Sequence, residues 1–301
     1  MKRCLIIGAG PSGITASIYL KRSGVEPYLV EKSMPGGKVP LTYKIDNYPG
    51  FKSINGFDLA NEFVNQLNVN NIKIHYEEVK NVKKENDIFQ VTTSKGEYEF
   101  DAVIIASGTV DSKLNIPGEK EYFAHGVSTC AVCDGNFFKG SPMAIIGGGN
   151  SALEESLYLS SLTDKVYLIH RRNEFRGDEE VVSKVKQDPH IEILTPYIPL
   201  EIKGDKNVNE LVIQNVETKK IKSLSLKAVF TYVGATPNNS FLEGFDIYDE
   251  KGYIKVNSEM ETSIQGLFAC GDCIKKSLRQ IATAVGDGAN AGISASSYLK
   301  R

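Results

Sequence analysis

Two cysteines separated by two residues, in Cys130-Ala131-Val132-Cys133, are followed at once by Asp134. Such a pair can close a disulfide or open to a dithiol whose thiolate is a nucleophile. The neighbouring carboxyl group can give and take a proton as a thiolate leaves. Cys130, Cys133 and Asp134 are therefore the candidate catalytic residues. Cys4, Cys270 and Cys273 bring the cysteine count to five. An odd number argues against a structural disulfide framework and for redox or metal chemistry. A zinc site built from Cys130, Cys133, Cys270 and Cys273 is the metal alternative. No metal is expected, because zinc there would leave the nucleotide motifs described next without an electron acceptor.

Those motifs form an internal repeat. The apolar run Cys4 to Ile7 leads into Gly8-Ala9-Gly10-Pro11-Ser12-Gly13, a helical stretch from Ile14 to Arg22 and a strand from Pro27 to Val30. The run Met143 to Ile146 leads into Gly147-Gly148-Gly149-Asn150-Ser151-Ala152, a helical stretch from Leu153 to Ser160 and a strand from Val166 to Ile169. Strand, glycine turn, helix, strand is the opening of a dinucleotide-binding unit, and it occurs twice. The first glycine allows the turn, the second lets backbone approach a pyrophosphate, and Gly13 or Ala152 lets helix and strand pack closely. The helix start offers unpaired N–H groups and partial positive charge to phosphate.

The ends of the two second strands carry opposite charges. Glu31 can accept hydrogen bonds from a ribose diol and repels a 2′-phosphate. At the same offset in the second unit stands His170, followed by Arg171 and Arg172, with Arg176 a turn further. Three guanidinium groups can grip a 2′-phosphate with forked, charge-assisted hydrogen bonds. The first unit therefore suits FAD and the second NADPH, and a hydride donor beside a flavin implies electrons for a third group.

The rest of the chain must hold these parts. Ile88 to Thr93 and Glu97 to Ile105 read as strands, the latter ending in Ala106-Ser107-Gly108. Tyr253 to Val256 reads as a strand, Gly266 to Ala269 leads into Gly271-Asp272, and Leu278 to Leu299 reads as a final helix. The fold class is α/β, with two Rossmann-like, three-layer dinucleotide-binding domains, the NADPH domain inserted into the FAD domain. The expected boundaries are 1–112 and 243–301 for the FAD domain and 113–242 for the NADPH domain. The crossings fall near Asp111 to Pro117 and Pro237 to Gly244, both containing turn residues. Because nicotinamide and disulfide must each reach one flavin, the layout predicts a domain rotation about these crossings.

The chain resembles the low-molecular-weight thioredoxin reductases over essentially its whole length. Cys130 to Asp134, placed just before the second glycine motif, is similar to that family's redox motif. Gly8 to Gly13 resembles its FAD turn, and Asp46-Asn47-Tyr48-Pro49-Gly50 its Asn-aromatic-Pro-Gly loop. His170-Arg171-Arg172 with Arg176 resembles its NADPH phosphate clamp, and Gly271-Asp272 with Arg279-Gln280 its C-terminal FAD segment. The resemblance implies FAD contacts at Gly8, Gly10, Pro11, Ser12, Gly13, Glu31, Gly37, Lys38, Asn47, Gly108, Gly271, Asp272, Arg279, Gln280 and Ile281. It implies NADPH contacts at Gly149, Asn150, Ser151, His170, Arg171, Arg172 and Arg176. It also implies that Cys133 faces the flavin while Cys130 attacks the disulfide of thioredoxin or a thioredoxin-like protein, and that the chain forms a homodimer. Two departures stand out. Lys38 occupies the place of the family's usual glutamine, and Cys270 that of its usual alanine. With Cys273, Cys270 is either a second redox station or, as expected here, one of two small buried side chains. Cys4 reads as core.

Composition narrows the alternatives. The chain has 301 residues, with 41% hydrophobic and 24% charged, enough for two cores without disulfide staples. A net charge of −2 gives no basic field for nucleic acid, and no apolar run reaches membrane-spanning length. Met1-Lys2-Arg3 and the short apolar run after it mimic a signal peptide, but the run ends at Gly8 and reads as a strand entering its turn. A cytoplasmic location is the expectation. A dithiol oxidase using oxygen, a ferredoxin-fed reductase and a nucleotide-holding sensor are the rivals. The arginine clamp argues against the first two, and the Cys130–Cys133 pair against the third.

Overall fold

The computed structural model describes residues 2–242 and 244–301. The chain divides into two compact units, Met1–Val110 with Thr236–Arg301, and Asp111–Ala235. The second crossing thus falls between Ala235 and Thr236, ahead of the expected boundary at 242. The reason is packing: Val82 N–H donates to the Phe241 carbonyl, and Phe241 and Leu242 lie in an apolar cluster of the first unit.

The first unit is built on a parallel sheet with strand order Leu267–Ala269, Ala102–Ile105, Cys4–Ile7, Pro27–Glu31, Ile74–Tyr76. Cys4–Ile7 and Ala102–Ile105 are buried at every position, as strands covered on both faces must be. The helices Pro11–Arg22 and Ile281–Leu299 pack on one face, with Ile6, Ile104, Phe268 and Cys270 in the core beneath them. On the other face Leu5, Val103 and Cys273 meet a three-stranded antiparallel sheet, Val79–Glu85, Ile88–Thr93 and Glu97–Phe100. Ile88–Thr93 buries alternate residues, the period of a strand with one covered face. The stretch expected as a single strand from Glu97 to Ile105 is two strands in different sheets. Asp101 breaks it: its carboxylate accepts the Arg3 N–H at 2.6 Å, and its own N–H donates to the Arg3 carbonyl.

The second unit repeats the plan. Its parallel sheet runs Ile191–Leu194, Val166–Ile169, Met143–Gly147, Ala228–Tyr232, Val127–Ser128. The helix Asn150–Ser160 covers one face, and the antiparallel strands Tyr197–Gly204, Val208–Asn215 and Ile221–Ser225 the other. Both glycine-turn helices start earlier than the apolar periodicity indicates, at Pro11 and Asn150, because motif residues form the first turn. Proline at the first helical position loses no needed N–H there. The final helix begins at Ile281, where Gln280 and Thr283 form a reciprocal capping box. Tyr253 to Val256 contributes only isolated bridges through Ile254.

Candidate active site

The redox turn follows strand Val127–Ser128. Ser128 Oγ accepts the Cys130 N–H at 3.0 Å, and Cys130 caps the short helix Ala131–Asp134. Cys130 and Cys133 are joined, with Sγ–Sγ 2.12 Å and Cα–Cα 5.3 Å. The Cys133 N–H donates to Cys130 Sγ at 3.1 Å, an arrangement that favours negative charge on that sulfur once the bond opens. Ala131 N–H donates to Tyr232 Oη at 2.9 Å. Gly135 lets the turn sit on the Asn150–Ser160 helix, since a Cβ there would lie 2.9 Å from Leu159. Cys133 is exposed, Asp134 half-buried and Cys130 only 9% exposed.

In the first unit the glycine turn is held by contact on every side. A Cβ on Gly13 would lie 1.8 Å from the Gly8 carbonyl oxygen, so helix and strand approach as the motif requires. Gly36 N–H donates to the Ala9 carbonyl at 2.7 Å, which brings Gly37 beside Gly10. Glu31 accepts from Ala9 N–H at 2.8 Å and from Ser33 N–H at 2.9 Å. Next to it a recess of about 110 Å³ is lined by residues including Gly8, Glu31, Val79 and Ser107. At the far end of the turn Asp272 Oδ1 is buried without a hydrogen-bond partner among the described residues. Burial raises its carboxyl above the usual range, while Lys276, Arg279 and Lys38 pull it down and Asp287 opposes them. Lys38 therefore puts positive charge within reach of Asp272. Asn47 Nδ2 donates to Gln280 Oε1 at 3.2 Å, tying the Asp46–Gly50 loop to the start of the last helix.

Arg279, expected among the FAD contacts, has a demonstrable local task. Its guanidinium donates to the carbonyls of Asp272, Ile274 and Lys276 at 3.1 to 3.2 Å and lies 4.0 Å from the Tyr253 ring centroid. It holds the turn that presents Asp272. Cys270 and Cys273 are both fully buried but on opposite faces of the parallel sheet, one in each core layer. Burial raises both thiols, Cys273 to about 11.

In the second unit the loop after strand Val166–Ile169 folds back over the glycine turn. Arg176 N–H donates to the Gly148 carbonyl at 2.7 Å, and Asn150 exchanges hydrogen bonds with Asp178. Arg171, Arg172 and Arg176 stay exposed. His170 is buried; a Cβ on Gly148 would meet its ring at 2.4 Å. The second glycine of this turn thus accommodates an imidazole. Burial, then Arg176, Arg172 and Arg171, lower the His170 pKa, so the ring is neutral at neutral pH; backbone bonding at Glu174 only partly opposes them. Its Nε2 has no partner among the described residues.

Each unit has what a dinucleotide asks for: a helix start without a side-chain cap, a close glycine approach and a buried polar atom with no hydrogen bond among the described residues. Two such units and a two-cysteine disulfide in one chain define a nucleotide-dependent disulfide oxidoreductase. The pattern of one family, pyridine nucleotide-disulphide oxidoreductase, matches residues 2–288. The thioredoxin reductase of Helicobacter pylori (strain J99) is 40% identical over 99% of this chain and 98% of its own. That of Treponema pallidum (strain Nichols) is 38% identical over 98% and 96%. The crystal structure of Lactococcus lactis thioredoxin reductase superposes with a TM-score of 0.97 at 38% identity, covering 100% of this chain and 99% of the other. The chain belongs to the pyridine nucleotide-disulphide oxidoreductase family and, within it, to the low-molecular-weight thioredoxin reductases. This family uses FAD and NADPH.

Proposed function

We propose that the chain reduces the disulfide of thioredoxin or a close thioredoxin-like protein, with NADPH as donor and FAD as carrier. The carrying observation is the Cys130–Cys133 disulfide, set in the same unit as the His170–Arg176 clamp. Bound FAD supplies a centre that accepts a hydride and releases electrons in pairs. Gly8, Gly10, Pro11, Ser12 and Gly13 would cradle its pyrophosphate, and Glu31 would accept from its ribose. Asp272 Oδ1, 3.9 Å from Lys276 Nζ but without a hydrogen bond among the described residues, would find one in a ribityl hydroxyl, with Gly37, Lys38, Asn47, Gly108, Gln280 and Ile281 around the same turn. Gly149, Asn150 and Ser151 would receive the NADPH pyrophosphate. Arg171, Arg172 and Arg176 would grip the 2′-phosphate, and neutral His170 would offer a ring nitrogen without adding charge.

The cysteines divide the work. The Cys133 N–H on Cys130 Sγ supports Cys130 as the thiolate that attacks the partner's disulfide. Since Cys130 is the more buried of the two, docking must uncover it. Asp134, next in sequence to Cys133, would move the proton. A homodimer in the cytoplasm is the setting proposed; among the described residues no helix is long and apolar enough to cross a membrane. The test is spectroscopic. Anaerobic NADPH should bleach the bound flavin, and oxidised thioredoxin should restore its colour. Bleaching that thioredoxin leaves unchanged while oxygen reverses it would favour the dithiol oxidase.

A further inference from the structure

Behind the redox turn lies a carboxyl group that the reaction as described does not use. Glu155, on the helix Asn150–Ser160, is 5% exposed, and its Oε2 has no hydrogen-bond partner among the described residues. The same helix face carries Leu159, which packs against Gly135 at the end of the redox turn. Tyr232, at the end of strand Ala228–Tyr232, connects the two. Its hydroxyl accepts the N–H of Ala131, the residue after Cys130. The position of Glu155 is electrostatically coupled to that hydroxyl: after burial, charge on Glu155 is the largest cause holding the Tyr232 pKa up. A buried carboxyl without a cation or donor is normally a liability, because its ionised form has nothing to replace water. The same group is harmless, and can be useful, while it remains protonated.

We propose that Glu155, buried on the helix face that seats the redox turn, is a positioning residue for the disulfide: its carboxyl governs how readily negative charge develops on Cys130 when the Cys130–Cys133 bond opens. This inference rests on the pair being the electron relay. In that step two electrons from the reduced flavin break the S–S bond. One proton from solvent makes one sulfur a thiol, and the other leaves as a thiolate. A second negative charge on Glu155, on the helix that seats the redox turn, would oppose that thiolate. Burial first, and Glu154 second, push the Glu155 carboxyl up to about 8, so it is neutral at pH 7 and ionises just above. The acidic side chains that act on the Tyr232 hydroxyl beside Glu155 are Asp111 from the crossing and Asp134 from the redox turn. At its ends this helix meets Asp178 through Asn150, and Asp188 and His190 through Ser160; between them it packs on apolar Met143, Ile145, Leu168, Val185 and Ile191.

The test is the redox equilibrium of the pair in FAD-loaded protein, in dithiothreitol buffers from pH 6 to 10, read by alkylation of Cys130 and Cys133. Wild type and Glu155→Gln should agree below pH 7. Above pH 9 the wild-type disulfide should be harder to reduce, by a factor on the order of five in the equilibrium constant. Glu155→Met, also neutral and of similar length, gives the same reading should the glutamine variant fail to fold. Profiles that coincide across the range, with the pair fully reducible, overturn the proposal. A pair that no buffer reduces would instead remove the relay itself.

Discussion

The N–H of Ala9 donates to Glu31 Oε2 at 2.8 Å, so the carboxylate closing the second strand is anchored on the glycine turn that opens the first helix. Oε2 holds the turn while the N–H and hydroxyl of Ser33 both donate to Oε1, leaving a lone pair on Oε2 for a ribose. Glu31→Ala should lower FAD affinity about tenfold or more, since hydrogen bonds to a charged group contribute roughly 1.5–3 kcal/mol each. NADPH affinity should not change. Flavin absorbance after gel filtration and a nucleotide titration check both halves, and an equal loss of both cofactors would contradict the separation of the sites.

The clamp should set the choice of reductant. Arg171, Arg172 and Arg176 crowd one loop, exposed and next to the second glycine turn. Replacing Arg171 and Arg172 with alanine should weaken NADPH about tenfold or more while leaving NADH nearly unaffected, because only the 2′-phosphate loses forked hydrogen bonds. Stopped-flow flavin reduction by each nucleotide measures the difference. Parallel losses would sink this assignment.

How far the sequence shows these sites depends on how local each one is. The glycine turns, Glu31 and the clamp are legible because each needs particular residue types within one strand-turn-helix segment. Asp101 illustrates the opposite case. It splits what reads as a continuous strand, and it does so through Arg3, 98 residues away in sequence. The antiparallel strands Tyr197–Gly204, Val208–Asn215 and Ile221–Ser225 leave no distinctive motif, since their pairing is set by tertiary contact. Glu154-Glu155 falls within the helical stretch Leu153 to Ser160 and forms no motif. Only the three-dimensional structure shows that the second of them is buried.

The two cysteine pairs should behave differently. Cys133→Ser should bind FAD and accept hydride from NADPH, yet fail to reduce thioredoxin, because the relay has lost one sulfur. Cys273→Ser should keep most thioredoxin turnover, since Cys270 and Cys273 lie in separate core layers and bridge nothing. Rapid-reaction spectra and a thioredoxin-coupled assay distinguish the steps. Complete loss of turnover in Cys273→Ser with FAD still bound would falsify the structural assignment of the late cysteines.

Glu155 should also leave a mark on stability, separate from any effect on the disulfide. Its carboxyl titrates near the ordinary value of 4.5 when the chain is unfolded and at about 8 when buried in the folded protein. Below the first value both states hold the proton, and Glu155 contributes no pH dependence. Between the two the folded state keeps the proton and the unfolded state has released it, so each step upward in pH favours unfolding. Above about 8 both states are ionised and the full cost of a buried, unpaired carboxylate is present. That cost is on the order of a few kcal/mol, reduced by whatever water reaches the site. Glutamine fills the same space and never ionises. Glu155→Gln should therefore melt close to wild type at pH 4.5 and increasingly above it as the pH rises, reaching several degrees by pH 9. Thermal melts of FAD-loaded protein with the disulfide kept oxidised isolate this effect from the redox coupling. A difference in melting temperature that stays constant from pH 4.5 to 9 would mean that Glu155 titrates as an ordinary exposed carboxylate, and that the side chain is not buried as the structure places it.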